Sequence, residues 1–532
     1  MRTENRRESM EKTAEKNRLR SLVFPVLFVI LALHPFIELD YLIGEAVPVR
    51  LTTVIDFVVL PLAVLVVFFL FEKRKAAVLK VFIPYLVFFG VYYLLHCRNA
   101  AELQYKLYLP ENWYFSFLDE TIYTLTLMIP LVYIYVFYKA EIREEFVKQV
   151  TVASSCLTAL PIFISNLFVF GRSTYQGYTI ANFLTWFSLP FDEEMYHPRK
   201  YATKFFFEEG NTIGILMLMV LPFLYYFLLR SKDKKEKAGL GILIMIHSLS
   251  MIILSTRVAT YGSALVPVAV FMILFILSIL KIEKRDILFM IYTIVMAVLC
   301  TAVIPYGPAY QNQQIDAMDY GVLIETDSVR TDARDNVKRQ GENLVPYSEE
   351  WFNYYTYVFE DLAINANLLG VTPPVYYTDW YDYHHDPQFW VDLMLDYELE
   401  QRVSGRQIEN IFTRYKYDPL NAKEKAFGMG FGTFMRGGIV IEQDFKQQFF
   451  SYGPIGFVLI MLPWIVVALF LAVKLILGYK KQKWQMINIL FMMAICMGLG
   501  ASYLSGHVID ELTTSLFISF CCAGLWQRLA HE

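Results

Sequence analysis

The chain has 532 residues, 56% of them apolar and only 18% charged, where a soluble domain carries about a quarter charged residues. With a mean hydropathy of +0.40 and several uncharged runs near the ~20 residues that cross a bilayer, this excludes a water-soluble enzyme and predicts an all-α polytopic membrane protein. The net charge of −4 gives no basis for nucleic-acid binding, and the six cysteines lack metal-ligand or disulfide-framework spacing.

Residues 1–20 are charged and helix-forming, a cytoplasmic segment in this reading. The first apolar run, at about 21–38, has no small-residue cleavage site and so predicts a retained membrane helix rather than a secretory signal. Further runs lie at about 51–71, 77–96, 116–138, 148–169, 211–229, 239–254, 259–280, 287–305, 449–477, 486–504 and 508–527, for about twelve transmembrane helices. With the N-terminus inside, Lys73 to Lys75, Lys139 with Arg143, Arg230 to Lys237, Lys281 with Lys284 and Arg285, and Lys480 with Lys481 and Lys483 all fall on the cytoplasmic face. That is the excess of Lys and Arg expected of cytoplasmic loops, and it leaves both termini inside.

Two external segments are long, about 170–210 and 306–448. The second is domain-sized, so the chain divides into 1–20, helices one to nine over 21–305, a mostly helical external domain over 306–448, and helices ten to twelve with a cytoplasmic end over 449–532. Within the domain, Ser348 opens a helix expected to reach Leu369 before Gly370, and Asp386-Pro387 opens one expected to reach Gln401. Ser404 opens a third, ended at Asp418-Pro419 by the proline. Trp351, Tyr354, Tyr355, Trp380 and Tyr381 read either as sugar-stacking platforms or as the core of the domain.

Several constellations carry chemistry. Arg257, in the external turn Ser255-Thr256-Arg257, ends an apolar span, where a cation is costly unless it snorkels or meets an anion. Arg199, Lys200 and Lys204 add external positive charge, and Asn211 enters the sixth helix as either a cap or a site residue. Arg406 falls in the first turn of its helix, where the macrodipole disfavours a cation by about 0.3–1 kcal/mol, which reads as anion binding or as a salt bridge. The run Gly428-Met429-Gly430-Phe431-Gly432 permits close backbone approach and N–H groups turned to an anion. Glu442 and Asp444 lie near the membrane surface, where a partly buried carboxylate can act as a base.

These residues, in order across 199–510, resemble the O-antigen ligase and O-antigen polymerase family of membrane glycosyltransferases. The matching pieces are Asn211, the Ser-Thr-Arg turn with Ala259 and Gly262, the Arg406 helix, the glycine run, Gly453 with Gly456, and Gly506-His507-Val508. The first five spans match in hydropathy alone. The resemblance implies a bacterial cytoplasmic-membrane enzyme with its active site outside. It implies transfer of a glycan from an undecaprenyl-diphosphate carrier to a glycan or cell-wall acceptor, by an inverting reaction with no metal and no cofactor. Many ligases of the family carry His-Asn about eleven residues before the glycine matched by Gly453; here Glu442-Gln443 stands there. This Glu-x-Asp variant favours a capsule or wall glycan over lipid A–core as acceptor.

The expected roles are Glu442 or Asp444 as base, with His384, His385 and His507 as the remaining candidates, and Arg257 and Arg406 stabilising the leaving diphosphate. Arg199, Lys204, Asn211, Gly428, Gly430 and His507 would bind substrate. The two arginines are expected to face one space, within roughly 16 Å, two Debye lengths. Two other classes compete. A lipid-linked oligosaccharide flippase suits twelve spans, although the halves show no similarity and no paired broken helices. A transferase using a polyprenyl-monophosphate donor would place its acidic pair at Glu38-Leu39-Asp40.

Overall fold

In hydrocarbon every backbone polar group must be paired within its own segment, so apolar runs of this length fold as helices. The structure, a computed structural model, describes residues 21, 23–43, 49–110, 112–173, 202–254, 256–359, 381, 385–436, 441–479 and 483–530. Arg199, Trp380 and His384 lie outside them, as does residue 360 onward of the helix opened by Ser348.

Among the described residues nine candidate membrane helices come first: α1 (Val23–Ile43), α2 (Leu51–Phe71), α3 (Lys75–Lys106), α4 (Phe117–Ala140), α5 (Glu144–Phe168), α6 (Gly210–Arg230), α7 (Lys234–Ile253), α8 (Arg257–Ile279) and α9 (Ile287–Tyr306). Then come α10 (Pro308–Gly341), α11 (Glu349–Tyr357), α12 (Pro387–Asp396), α13 (Leu399–Val403), α14 (Gly405–Tyr417), α15 (Ala422–Phe427) and α16 (Gly432–Arg436). Four more close the chain: α17 (Asp444–Ile460), α18 (Leu462–Leu477), α19 (Met486–Leu504) and α20 (Leu512–Ala530). Counting α17 and α18 as one span, Asp444–Leu477, eleven helices among the described residues are long and apolar enough to cross a membrane. The twelfth expected run is the helix α20, diluted in hydropathy by Gln527 and Arg528 and by the hydroxyls of Thr513, Thr514, Ser515 and Ser519. These hydroxyls bond inside the protein, Ser519 to the Pro130 carbonyl at 2.6 Å and Thr514 to the Val508 carbonyl at 2.5 Å.

The chain forms two compact units, one of residues 1–84, 124–313 and 462–532 and the other of 85–123 and 314–461. In the first, α6 is apolar all round and accordingly the most deeply buried of the eleven spans. It packs against α5, α7, α8, α19 and α20. Polar hooks join these helices: His247 bonds Ser155 at 2.8 Å and the Met217 carbonyl at 3.0 Å, as expected where helices share a bilayer.

The second unit is built on aromatic packing. Tyr381 meets Phe412 edge-on at 4.9 Å, Phe389 meets Phe412 at 5.3 Å, and Trp113, Trp351, Tyr355 and Trp390 complete the buried cluster. Trp351, Tyr355 and Tyr381 are therefore core residues, the second of the two readings their sequence allows. Beneath them Lys416 donates to Asp386 at 3.0 Å, to the Leu107 carbonyl at 3.0 Å and to the Tyr381 hydroxyl. Burial pushes the Lys416 ammonium below its ordinary range, against the pull of Asp386. Asp386 also caps α12 through the Phe389 N–H at 3.2 Å, as expected. That helix ends at Asp396 rather than Gln401, because the Gln401 side chain turns back to the Glu398 N–H at 3.2 Å and opens α13. Ser348 caps α11 as expected, accepting from the Trp351 N–H. Ser404 stands at the start of α14 without a side-chain cap, and α14 stops before Asp418 as Pro419 requires.

Candidate active site

The way α15 ends sets the shape of the glycine run. Asn421 caps that helix, accepting from the Lys423 and Glu424 N–H groups at 3.0 Å each, and Gly428 ends it at φ +79°. The chain then lies against α17, with the Met429 N–H on the Phe450 carbonyl at 3.0 Å and the Gly430 N–H on the Ser451 carbonyl at 2.9 Å. Both partners need glycine. A Cβ at Gly428 would stand 2.3 Å from the Gly453 nitrogen and the Ser451 oxygen, and one at Gly453 (φ +65°) 2.4 Å from the Lys425 oxygen.

The next two N–H groups do bind an anion, but it belongs to the protein. The fully buried Glu120, in the first turn of α4, accepts from the Phe431 N–H at 3.0 Å and the Gly432 N–H at 2.8 Å. His96 of α3 faces the same carboxylate through Nε2 at 3.0 Å and the Phe427 carbonyl through Nδ1 at 2.6 Å. The Phe431 ring stacks on Tyr123 at 3.4 Å. The Gly428 and Gly430 N–H groups are thus committed to the Glu424 and Ser451 carbonyls, and those of Phe431 and Gly432 to Glu120, which corrects the expectation of open N–H groups waiting for substrate.

Arg406 and Glu442 meet. Arg406 Nε donates to Glu442 Oε2 at 2.5 Å, and a second guanidinium nitrogen contacts the same oxygen. The ion pair offsets the macrodipole, since Arg406 does sit in the first turn of α14. Both contacts fall on Oε2, so Oε1 takes no part in the pair. The side chains are 50% and 35% exposed respectively, open to a ligand. Asp444 is different: it is the first residue of α17 and only 1% exposed. Residues 442 and 443 form a bend and 444 begins a helix, so the two acids stand in unlike surroundings. The ring of His385 stacks on Tyr108 at 4.8 Å and its Nε2 faces the Tyr108 carbonyl at 2.8 Å.

The other expected residues lie in the first unit. Arg257 is exposed at the first position of α8. Asn211 is the second residue of α6, one step inside the helix, so the cap position falls to Glu209. The Lys204 ammonium donates to the Glu208 carbonyl and is pushed down by burial, as the Glu208 carboxyl is pushed up, Arg50 opposing. The His507 carbonyl accepts from Thr212 at 3.3 Å, and its Nδ1 lies 3.5 Å from Asp510. Among the described residues no group of three His, Cys, Asp or Glu could hold a metal ion.

The sequence reading passed over His96, Glu120 and a second buried cluster in the first unit. There His34 lies 2.9 Å from both Glu38 and Asp56 and 2.7 Å from the Thr513 hydroxyl. The signal was present: ionisable residues inside or at the ends of apolar spans face protein and find partners. Asp40, the other half of the acidic pair, accepts from the Thr52 N–H and hydroxyl at 2.7 Å each and serves the start of α2.

The family model for O-antigen ligase like membrane proteins matches residues 17–532, essentially the whole chain. No curated protein and no solved structure matches it.

Proposed function

Because this chain belongs to the O-antigen ligase-like family of membrane proteins, a group of membrane glycosyltransferase-type enzymes that ligate or polymerise surface polysaccharide from a lipid-linked donor, we propose that it transfers a glycan held on undecaprenyl diphosphate. The acceptor is a hydroxyl of a capsule or wall glycan at the external face of a bacterial cytoplasmic membrane. The observation that carries this reading is the Arg406–Glu442 pair, an arginine and a carboxylate matched to each other and exposed to a ligand.

The pair suggests an exchange. A diphosphate offers a guanidinium more charge than a carboxylate does and engages it through bidentate hydrogen bonds. Donor binding at Arg406 then releases Glu442, whose freed carboxylate takes the proton of the acceptor hydroxyl. The hydroxyl oxygen attacks the anomeric carbon from the face opposite the leaving group. The carbon–oxygen bond to the diphosphate breaks, the diphosphate keeps the electron pair, and the anomeric configuration inverts. Arg406 meets the added charge, with Arg257 as the second cation assigned to the donor. Arginines take the part that a divalent cation plays in other diphosphate chemistry, so turnover is proposed to be metal-independent. Asp444, Arg199, Lys204, Asn211 and His507 are carried as accessory base and substrate-binding residues.

The test is reconstitution of the purified chain in vesicles with a lipid-linked oligosaccharide. A new glycosidic bond of inverted configuration, formed equally well in the presence of a chelator, is the expected result. Donor that crosses the bilayer with no glycan lengthened would establish a flippase instead.

A further inference from the structure

A cavity of the first unit lies far along the chain from these residues, between α5 and α7 beside Phe28 of α1. Its volume is about 1100 Å³, at or above the upper end of the ~300–1,000 Å³ of small-molecule pockets. The groove exists because its floor is small: Ala153 and Cys156 on α5 and Gly239 on α7. A Cβ at Gly239 would meet open space.

Its chemistry changes along its length. The mouth carries Glu145, Lys148, Gln149 and Glu236, in the first two turns of α5 and the first of α7, and the depth is lined by apolar side chains as far as Cys156 and Ile246. At 1.5 Å per helical residue, Cys156 lies about 12 Å below Lys148 and Ile246 about 15 Å below Glu236. That depth is one half of a ~30 Å hydrocarbon core. A groove with a charged mouth and one leaflet's depth of apolar wall fits a lipid of that leaflet and not a sugar.

Charge decides which lipid. Lys148 is paired with Glu236, which also accepts from the Ser231 hydroxyl, while Glu145 stands exposed at the same mouth. Two carboxylates against one lysine repel a purely anionic headgroup but complement one that bears both phosphate and ammonium. We propose that the groove binds a glycerophospholipid with a primary-ammonium headgroup. Its acyl chain lies between α5 and α7, its phosphate at Lys148 and its ammonium at Glu145. The occupant comes from the leaflet beside the loops 141–143 and 231–233. The site is separate from glycan transfer, and neither reading depends on the other.

The experiment uses the full chain, reconstituted in bilayers of equal parts phosphatidylethanolamine and phosphatidylglycerol, extracted, and read by native mass spectrometry. The expected result is retained phosphatidylethanolamine. Gly239→Phe should place its ring in the groove and lower retention at least about tenfold, the effect of a contact loss of about 1.4 kcal/mol, while Gly239→Ala retains lipid. Glu145→Lys, an exposed change at the mouth that leaves the apolar wall intact, should turn the preference toward phosphatidylglycerol. Equal retention of both lipids, no retained lipid, undiminished retention in a folded Gly239→Phe protein, or an unmoved preference in Glu145→Lys would each overturn the proposal.

Discussion

Glu120 makes a sharp prediction because one buried carboxylate holds three partners. Oε2 takes the Phe431 and Gly432 N–H groups, and Oε1 faces His96 Nε2. Glu120→Ala strands all three at a site with no solvent. A buried donor without a partner costs about 1–3 kcal/mol, so the sum is about 3–9 kcal/mol, a large part of the ~5–15 kcal/mol that holds a domain together. Glu120→Gln should be far milder. Its carbonyl oxygen placed at Oε2 still accepts from both backbone amides. Its NH₂ at Oε1 meets the His96 Nε2, an acceptor in the tautomer that donates from Nδ1 to the Phe427 carbonyl. The cost reduces to the charge-assisted part of the bonds, about 1–2 kcal/mol. Amide hydrogen exchange at Phe431 and Gly432 in the purified protein reads this locally. Exchange should rise by at least about two orders of magnitude in Glu120→Ala, the equivalent of ~3 kcal/mol, and by about tenfold in Glu120→Gln. Unchanged protection in Glu120→Ala, or equal loss in both variants, would refute a role for Glu120 in holding this turn.

Gly453→Ala puts a methyl carbon 2.4 Å from the Lys425 oxygen at φ +65°, so the kink in α17 must open. A loss of at least about 2 kcal/mol is expected from the left-handed backbone and the clash together, measured as a lowered melting temperature, whereas Gly239→Ala should be silent. Lys416→Met removes the buried ammonium but leaves Asp386 held by Tyr381, Tyr415 and the Phe389 N–H. The expected cost is near the low end of the ~3–5 kcal/mol for breaking a buried pair. Its pH signature is distinctive. Burial lowers Lys416, so below pH 10.5 the unfolded chain binds the proton more tightly than the folded protein. Stability attributable to this lysine therefore rises with pH toward 10.5, by at most about 1.4 kcal/mol per pH unit. Comparative melting curves across alkaline pH should show that slope in the wild type and its loss in Lys416→Met.

The bilayer makes the membrane helices legible, because hydrocarbon leaves an apolar run no alternative to a helix. The same rule made α20 look like any other span, since sequence does not reveal that Thr514 and Ser519 bond within the bundle. The 34-residue helix α10 went unseen. Its apolar residues, among them Ile315, Met318 and Val337, are sparse among many polar ones and form no sustained stripe for periodicity to detect. Short-range signals did better: Ser348 and Asp386 cap the helices they precede, and Pro419 ends α14. At the candidate site the residue types were readable and their partners were not. Arg406 announced itself by sitting at the wrong end of a dipole, and Glu442 by its distance from Gly453. That the two bond each other is a tertiary fact spanning 36 positions. The glycine run signalled an anion nest correctly but not its occupant, because Glu120 lies 311 residues away from Phe431.

The proposed mechanism turns on Glu442 taking the acceptor's proton once the donor has drawn Arg406 away from it. Glu442→Gln keeps the shape of the side chain and removes the proton acceptor. In vesicles reconstituted with equal amounts of protein, turnover of a lipid-linked oligosaccharide should fall by about 10²–10⁴-fold, the usual contribution of a general base, with donor binding preserved. Near-wild-type turnover by Glu442→Gln would contradict the account.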